Sequence, residues 1–153
     1  MEISKRLFFA KGQTIKALLI LFAMLIMVFP VFANTSGWSF TGTVAGRVVN
    51  GGNNGIYHNM TAGSLTNSGS IWPTFANPGS TSPSPWVFEV WKDNGIFDSF
   101  ICASSPVTTG TTIGQGTSFS QGCGTISSGS YYLVAWRATT DGRSYSASGS
   151  FSS

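Results

Sequence analysis

The 153-residue sequence predicts an all-β fold class: an antiparallel β-sandwich or jelly roll with one disulfide, preceded by a cleavable signal peptide. Three observations lead there. Several short runs of large apolar and β-branched residues are separated by Gly, Asn, Ser and Pro clusters, the pattern of strands and turns. From Asn34 onward the chain holds 18 Gly, 22 Ser and 15 Thr, too many for long helices. Those same residues include 16 aromatics, enough apolar surface to close a core in a chain that polarity alone would suggest is disordered.

Lys5, Arg6, Lys11 and Lys16 precede the unbroken apolar run Ala17 to Phe29, which is followed by Pro30-Val31-Phe32-Ala33. A basic region, a short apolar region and small residues before a cut are what export machinery requires, so residues 1–33 are expected to be a signal peptide cleaved after Ala33. The run is 13 residues long. About 20 are needed to cross a bilayer, so a membrane anchor is the weaker reading and no insertion of the mature chain is expected. Residues 34–153 then form one secreted, extracellular domain, and the long basic leader is of a kind common in bacteria. With the leader removed, Arg47, Lys92, Arg137 and Arg143 face Glu89, Asp93, Asp98 and Asp141, and the net charge is zero. Nucleic acid is excluded as a partner, because phosphate binding needs clustered Lys and Arg.

Within the domain, Trp38-Ser-Phe-Thr-Gly-Thr-Val44 alternates large and small residues as a half-buried strand does. Arg47 to Val49 and Ile56 to Met60 flank Asn50 to Gly55, where a hairpin is expected. Beyond Gly69 to Phe75, the Pro-, Ser- and Gly-rich Asn77 to Pro85 is expected to be a surface loop. Trp86 to Lys92 and Ile96 to Ala103 are expected to pair through a two-residue type I′ turn at Asn94-Gly95. That register sets Trp91 opposite Asp98, Glu89 opposite Phe100 and Val87 opposite Cys102, with Trp86, Phe88, Val90, Ile101 and Ala103 on the core side. A second hairpin, Tyr131 to Thr139 with Ser144 to Phe151, is expected to turn at Asp141-Gly142. It would place Tyr132, Val134, Trp136 and Ala138 in the core with Tyr145, Ala147, Gly149 and Phe151, and leave Tyr131, Leu133, Ala135 and Arg137 on the wet face.

Cys102 and Cys123 are read as a disulfide, since export implies an oxidising compartment and neither thiol has His or Cys neighbours suited to metal. The link should contribute roughly 3 kcal/mol by constraining the unfolded chain.

Ser128-Gly-Ser-Tyr-Tyr-Leu-Val134 resembles the penultimate strand of secreted β-sandwich domains of the pre-peptidase C-terminal kind. The resemblance covers about a sixth of the expected mature chain and implies an accessory, non-catalytic module. The acidic residues that such domains often carry near their earlier strands are missing here, and no site residue is carried over.

Catalytic constellations are sparse. His58 is the single histidine, and no Gly-x-Ser-x-Gly elbow, paired His ligands or phosphate loop is present. A weak hydrolase would have to draw on His58, Glu89 and Asp98. Asp93, Asn94 and Asp98 offer oxygen ligands for calcium, but turn chemistry accounts for them and no metal or cofactor is expected. The candidate ligand-binding residues are Trp91 and Phe100 edged by Glu89 and Asp98, an aromatic platform suited to stacking on a neutral sugar while carboxylates accept its hydroxyls. The expected function is therefore non-enzymatic binding of cell-surface or matrix polysaccharide. The alternative is a bacteriocin-like antagonist or enzyme inhibitor acting on a protein target. A sugar binder should show exposed coplanar aromatics, and an antagonist an apolar docking loop.

Overall fold

The computed structural model describes residues 33–42 and 49–153. The expected signal peptide lies outside these residues except for Ala33, and so do Thr43, Val44 and Arg47. Among the described residues there are nine strands: β1 (Thr35–Gly42), β2 (Val49–Asn50), β3 (His58–Met60), β4 (Gly63–Ala76), β5 (Trp86–Lys92), β6 (Ser99–Ala103), β7 (Thr117–Ile126), β8 (Gly129–Arg137) and β9 (Arg143–Ser152). They form two antiparallel sheets, β1-β9-β4-β7 and β2-β8-β5-β6, with β3 also paired to β8.

The pairing has a simple logic. Strands near the beginning pair with strands near the end: β1 with β9, β2 and β3 with β8, β4 with β7, and β5 with β6. The chain is thus a long ribbon folded back on itself and wound around one core, which is a jelly roll. The β5–β6 hairpin is the tip of that ribbon.

Period-two alternation supplies the core. On β5, Trp86, Phe88 and Val90 are fully buried, and from the facing sheet come Trp38, Leu65, Ile71, Tyr145, Ala147 and Phe151. Trp38 stacks on Phe88 at 5.8 Å between centroids, and Phe88 on Phe119 at 4.2 Å. The Cys102–Cys123 disulfide joins β6 to β7, the edge strands on one open side of the sandwich.

Two expected hairpins are corrected. β8 and β9 do not pair; they lie in different sheets. Asp-Gly at 141–142 turns the chain from one sheet to the other because the buried Asp141 carboxylate gathers Arg137, Ser84, Arg143 and Tyr145 around itself. The assignment of inward residues holds for β9, where Tyr145, Ala147 and Phe151 are buried, and inverts for β8: Tyr131, Leu133 and Ala135 face the core and Arg137 is buried. β2 and β3 likewise do not pair with each other. Both pair with β8, as two pieces of one edge strand interrupted by a turn in which Ile56 N–H donates to Gly51 O at 2.7 Å.

The outward face of the first sheet is a grid of hydroxyls. Ser39, Ser148, Ser70 and Ser118 form one row across all four strands, and the Ser70 and Ser118 hydroxyls bond at 2.7 Å.

Candidate functional site

The outward face of the second sheet is different in kind. Across it, Trp91 pairs with Tyr132 on one side and Phe100 on the other, while Glu89 pairs with Val134, which in turn pairs with Asn50. Tyr132 and Val134 are buried although they point away from the core. The 93–98 loop folds back toward them, and the Tyr132 hydroxyl donates to Asp98 Oδ2 at 2.7 Å. Residues 50–52 and 57 close the other side: Gly52 lies so near the Tyr132 ring that an added Cβ would sit 3.0 Å from it, and Tyr57 meets the ring edge-on at 6.0 Å. Between these walls lies a cleft of about 390 Å³ lined by Asn50, Glu89, Trp91, Ile96, Phe97, Asp98, Tyr132 and Val134.

Its polar groups are fixed by neutral donors. The Glu89 carboxylate accepts the indole N–H of Trp91 at 2.8 Å through Oε2 and that of Trp136 at 2.7 Å through Oε1. Burial, followed by the hydrogen bond and charge of Asp98, pushes the Tyr132 phenol far above its ordinary value. Tyr132 therefore stays a donor and Asp98 its acceptor.

The ribbon tip departs from the expected two-residue turn. Asn94 does not take positive φ; Gly95 does, at 85°. The loop runs from Asp93 to Asp98, Trp91 pairs with Phe100 rather than Asp98, Glu89 with Ala103 rather than Phe100, and Cys102 with Val90 rather than Val87, with an irregularity between Val90 and Trp91. Side-chain capping is the reason. Asp93 accepts from Gly95 N–H at 2.9 Å, Asn94 donates to Ser99 Oγ at 2.7 Å, and Asp98 is held by Tyr132, so it is not free to enter the ladder. Asp93 Oδ1 and both Asp98 oxygens, considered for calcium, accept hydrogen bonds from within the protein. Among the described residues no cluster of three His, Cys, Asp or Glu side chains suited to metal occurs.

All four candidate residues come together: Glu89, Trp91 and Asp98 line the cleft, and Phe100 adjoins Trp91. The Trp91 and Phe100 rings are edge-to-face, 5.6 Å apart at 74°, rather than coplanar. Phe100 is 52% exposed, and at the loop tip Ile96 and Phe97 are 86% and 83% exposed. His58 belongs elsewhere. It lies on the core side of β3, its Nδ1 2.8 Å from Ser36 Oγ and its ring edge-on to Phe151, so it does not join Glu89 and Asp98.

The sequence reading did not select Asn50, Tyr132, Val134, Trp136, Ile96 or Phe97. The available signal was the unbroken run Tyr131 to Trp136, apolar at both alternations, which marks a strand covered on both faces.

No family model and no curated protein matches the sequence. Among solved structures, the chain is similar to the VP2 subviral particle of infectious bursal disease virus: 15% identity over 80% of this chain and 32% of that one, TM-score 0.45. A structure of the Gx strain of that virus gives 14% identity over 78% and 30%, with TM-score 0.42. The chain spans about a third of the length of these proteins, and likeness at this level bears on neither ligand nor partner.

Proposed function

We propose that this protein is a secreted, non-enzymatic binding module, and that the cleft on the second sheet takes a segment of cell-surface or matrix polysaccharide. One observation carries the reading: Glu89 is clamped between the indole N–H groups of Trp91 and Trp136. Acceptor and rings are thereby set in place before a ligand arrives, so little ordering entropy is spent on binding. A sugar ring laid against Trp91 would present its C–H face to the indole and its hydroxyls to Glu89, Asp98 and Asn50, and hydroxyl-to-carboxylate bonds are the stronger class. The edge-to-face rings favour a single glycan strand gripped in a cleft over the flat face of an insoluble polymer.

A second reading, docking to a protein target as an antagonist would, is favoured by the exposed Ile96 and Phe97 at the ribbon tip. Retention of the full chain, produced in an exporting host, on polysaccharides and bacterial cell walls separates the two. Loss of retention with Trp91→Ala, and little change with Phe97→Ala, supports the glycan cleft. No retention on any polysaccharide, combined with binding to a protein target that Phe97→Ala abolishes, supports docking instead.

A further inference from the structure

We infer that the sugar this cleft selects carries a protonated amine, as a deacetylated amino sugar does, rather than a neutral N-acetyl group or a uronate; the inference rests on the glycan reading above. Neutral groups hold both carboxylates. Glu89 is bonded by two indoles, and Asp98 by a phenol and the Asn94 amide. Among the described residues no cation reaches either. Arg137 is buried against Asp141, Arg143 is buried with its guanidinium donating to Thr81 O and Thr111 O, and Lys92 points to the opposite face of β5, bonding Ser127 at 2.7 Å over the Tyr131 ring. The single ion pair among the described residues is Arg137–Asp141.

The cleft therefore holds two negative groups with neutral partners and, among the described residues, no counter-charge. A uronate would be repelled by both. A neutral sugar would satisfy hydroxyl contacts and leave the charge unbalanced. A primary ammonium would complete the arrangement, donating to Glu89 or Asp98 while lying near the aromatic faces of Trp91 and Tyr132, which attract cations. Each carboxylate keeps lone pairs for it, since a carboxylate accepts about four hydrogen bonds.

The test is calorimetric titration of the full chain with glucosamine oligomers, N-acetylglucosamine oligomers of the same length and galacturonate oligomers, below the pKa of the sugar amine. The glucosamine oligomer should bind about tenfold tighter than its acetylated counterpart, the size of one charge-assisted hydrogen bond. That margin should shrink in high salt. Asp98→Asn and Glu89→Gln should each weaken the glucosamine oligomer more than the acetylated one, so that most of the preference between the two is lost. Asp98→Asn retains an oxygen for Tyr132, so it remains informative if Glu89→Gln disturbs the indole clamp. Equal affinity for both oligomers, or tighter binding of galacturonate, overturns this inference and leaves the glycan reading standing. Binding of none of the three, with Trp91→Ala indistinguishable from wild type on every polysaccharide, overturns both.

Discussion

Replacing Asp141 by Ala removes the centre of the one buried ionic network among the described residues. Asp141 Oδ1 accepts Arg137 Nη1 at 2.6 Å and the Arg143 amide at 2.9 Å, and Oδ2 accepts the Ser84 amide at 2.7 Å and the Tyr145 hydroxyl. Both charged side chains are at most 1% exposed. Without Asp141 the Arg137 guanidinium, packed over the Trp86 and Tyr145 rings, keeps its charge and loses its counter-ion. Stranding one member of a buried pair costs about 3–5 kcal/mol, a large part of a total stability of about 5–15 kcal/mol. Urea unfolding followed by Trp fluorescence should register that loss, and the melting temperature should fall on the order of 10 °C. Asp141→Leu combined with Arg137→Met should recover much of it, because the stranded charge is then gone. The dependence on pH has a defined sign. Burial pulls the Asp141 carboxyl upward, but the Ser84 amide, the Tyr145 phenol, the Arg143 amide and the Arg137 guanidinium outweigh it and hold the group below 3.8. Its contribution is complete above the unfolded-state value and is lost as pH falls through the folded one, so the acid-side slope should flatten in Asp141→Asn. A loss under about 1 kcal/mol for Asp141→Ala, or a double variant as unstable as the sum of its parts, would refute the reasoning.

The remaining perturbations are simpler. Cys102→Ser with Cys123→Ser frees a loop of 21 residues, and the urea midpoint should drop by an amount equivalent to about 3 kcal/mol. Gly149→Ala drives a methyl into Ser68 O and the Trp38 ring and should cost about 1–3 kcal/mol in the same assay, whereas Gly122→Ala, with nothing within 4 Å, should be close to neutral. Burial lowers the His58 pKa from 6.5, so the unfolded chain takes up a proton first. Stability measured from neutral pH downward should begin to fall near 6.5, and His58→Asn should remove that part of the slope.

How much of this was legible in the sequence depends on whether a residue's surroundings are local. Alternation in Trp86-Val-Phe-Glu-Val90 correctly placed Glu89 and Trp91 outside and the other large residues inside, because period two is a property of the strand itself. The pairing of Cys102 with Cys123 was legible from the cysteine count together with the expectation of export. The β8–β9 relation was not. An Asp-Gly between two β-rich runs is the ordinary mark of a hairpin, and what overrides it, the Asp141 contact with the distant Ser84 amide, is invisible locally. The register at the ribbon tip failed for a similar reason: Tyr132, 34 residues from Asp98 along the chain, removes that side chain from the ladder.

The two outward faces explain why the cleft lies where it does. On the first sheet, inward side chains are apolar apart from the buried Asn67, and outward ones are mostly Ser and Thr, Trp72 being the large exception, with cross-strand hydroxyl pairs such as Thr41 with Ser146 at 3.2 Å and Ser70 with Ser118 at 2.7 Å. Such a face is content in water and gives a ligand few apolar contacts to exchange for it. On β8 both alternations are large, so whichever set faces the core, the other must be covered. A jelly roll has no third layer to cover it. The turn at 51–57 and the ribbon tip at 93–98 are the segments close enough, and they shield Tyr132 and Val134 while leaving Trp91 half-buried and Ile96, Phe97 and Phe100 exposed. Apolar surface is thus concentrated beside two carboxylates that have neutral partners. That combination is what the proposed glycan reading rests on.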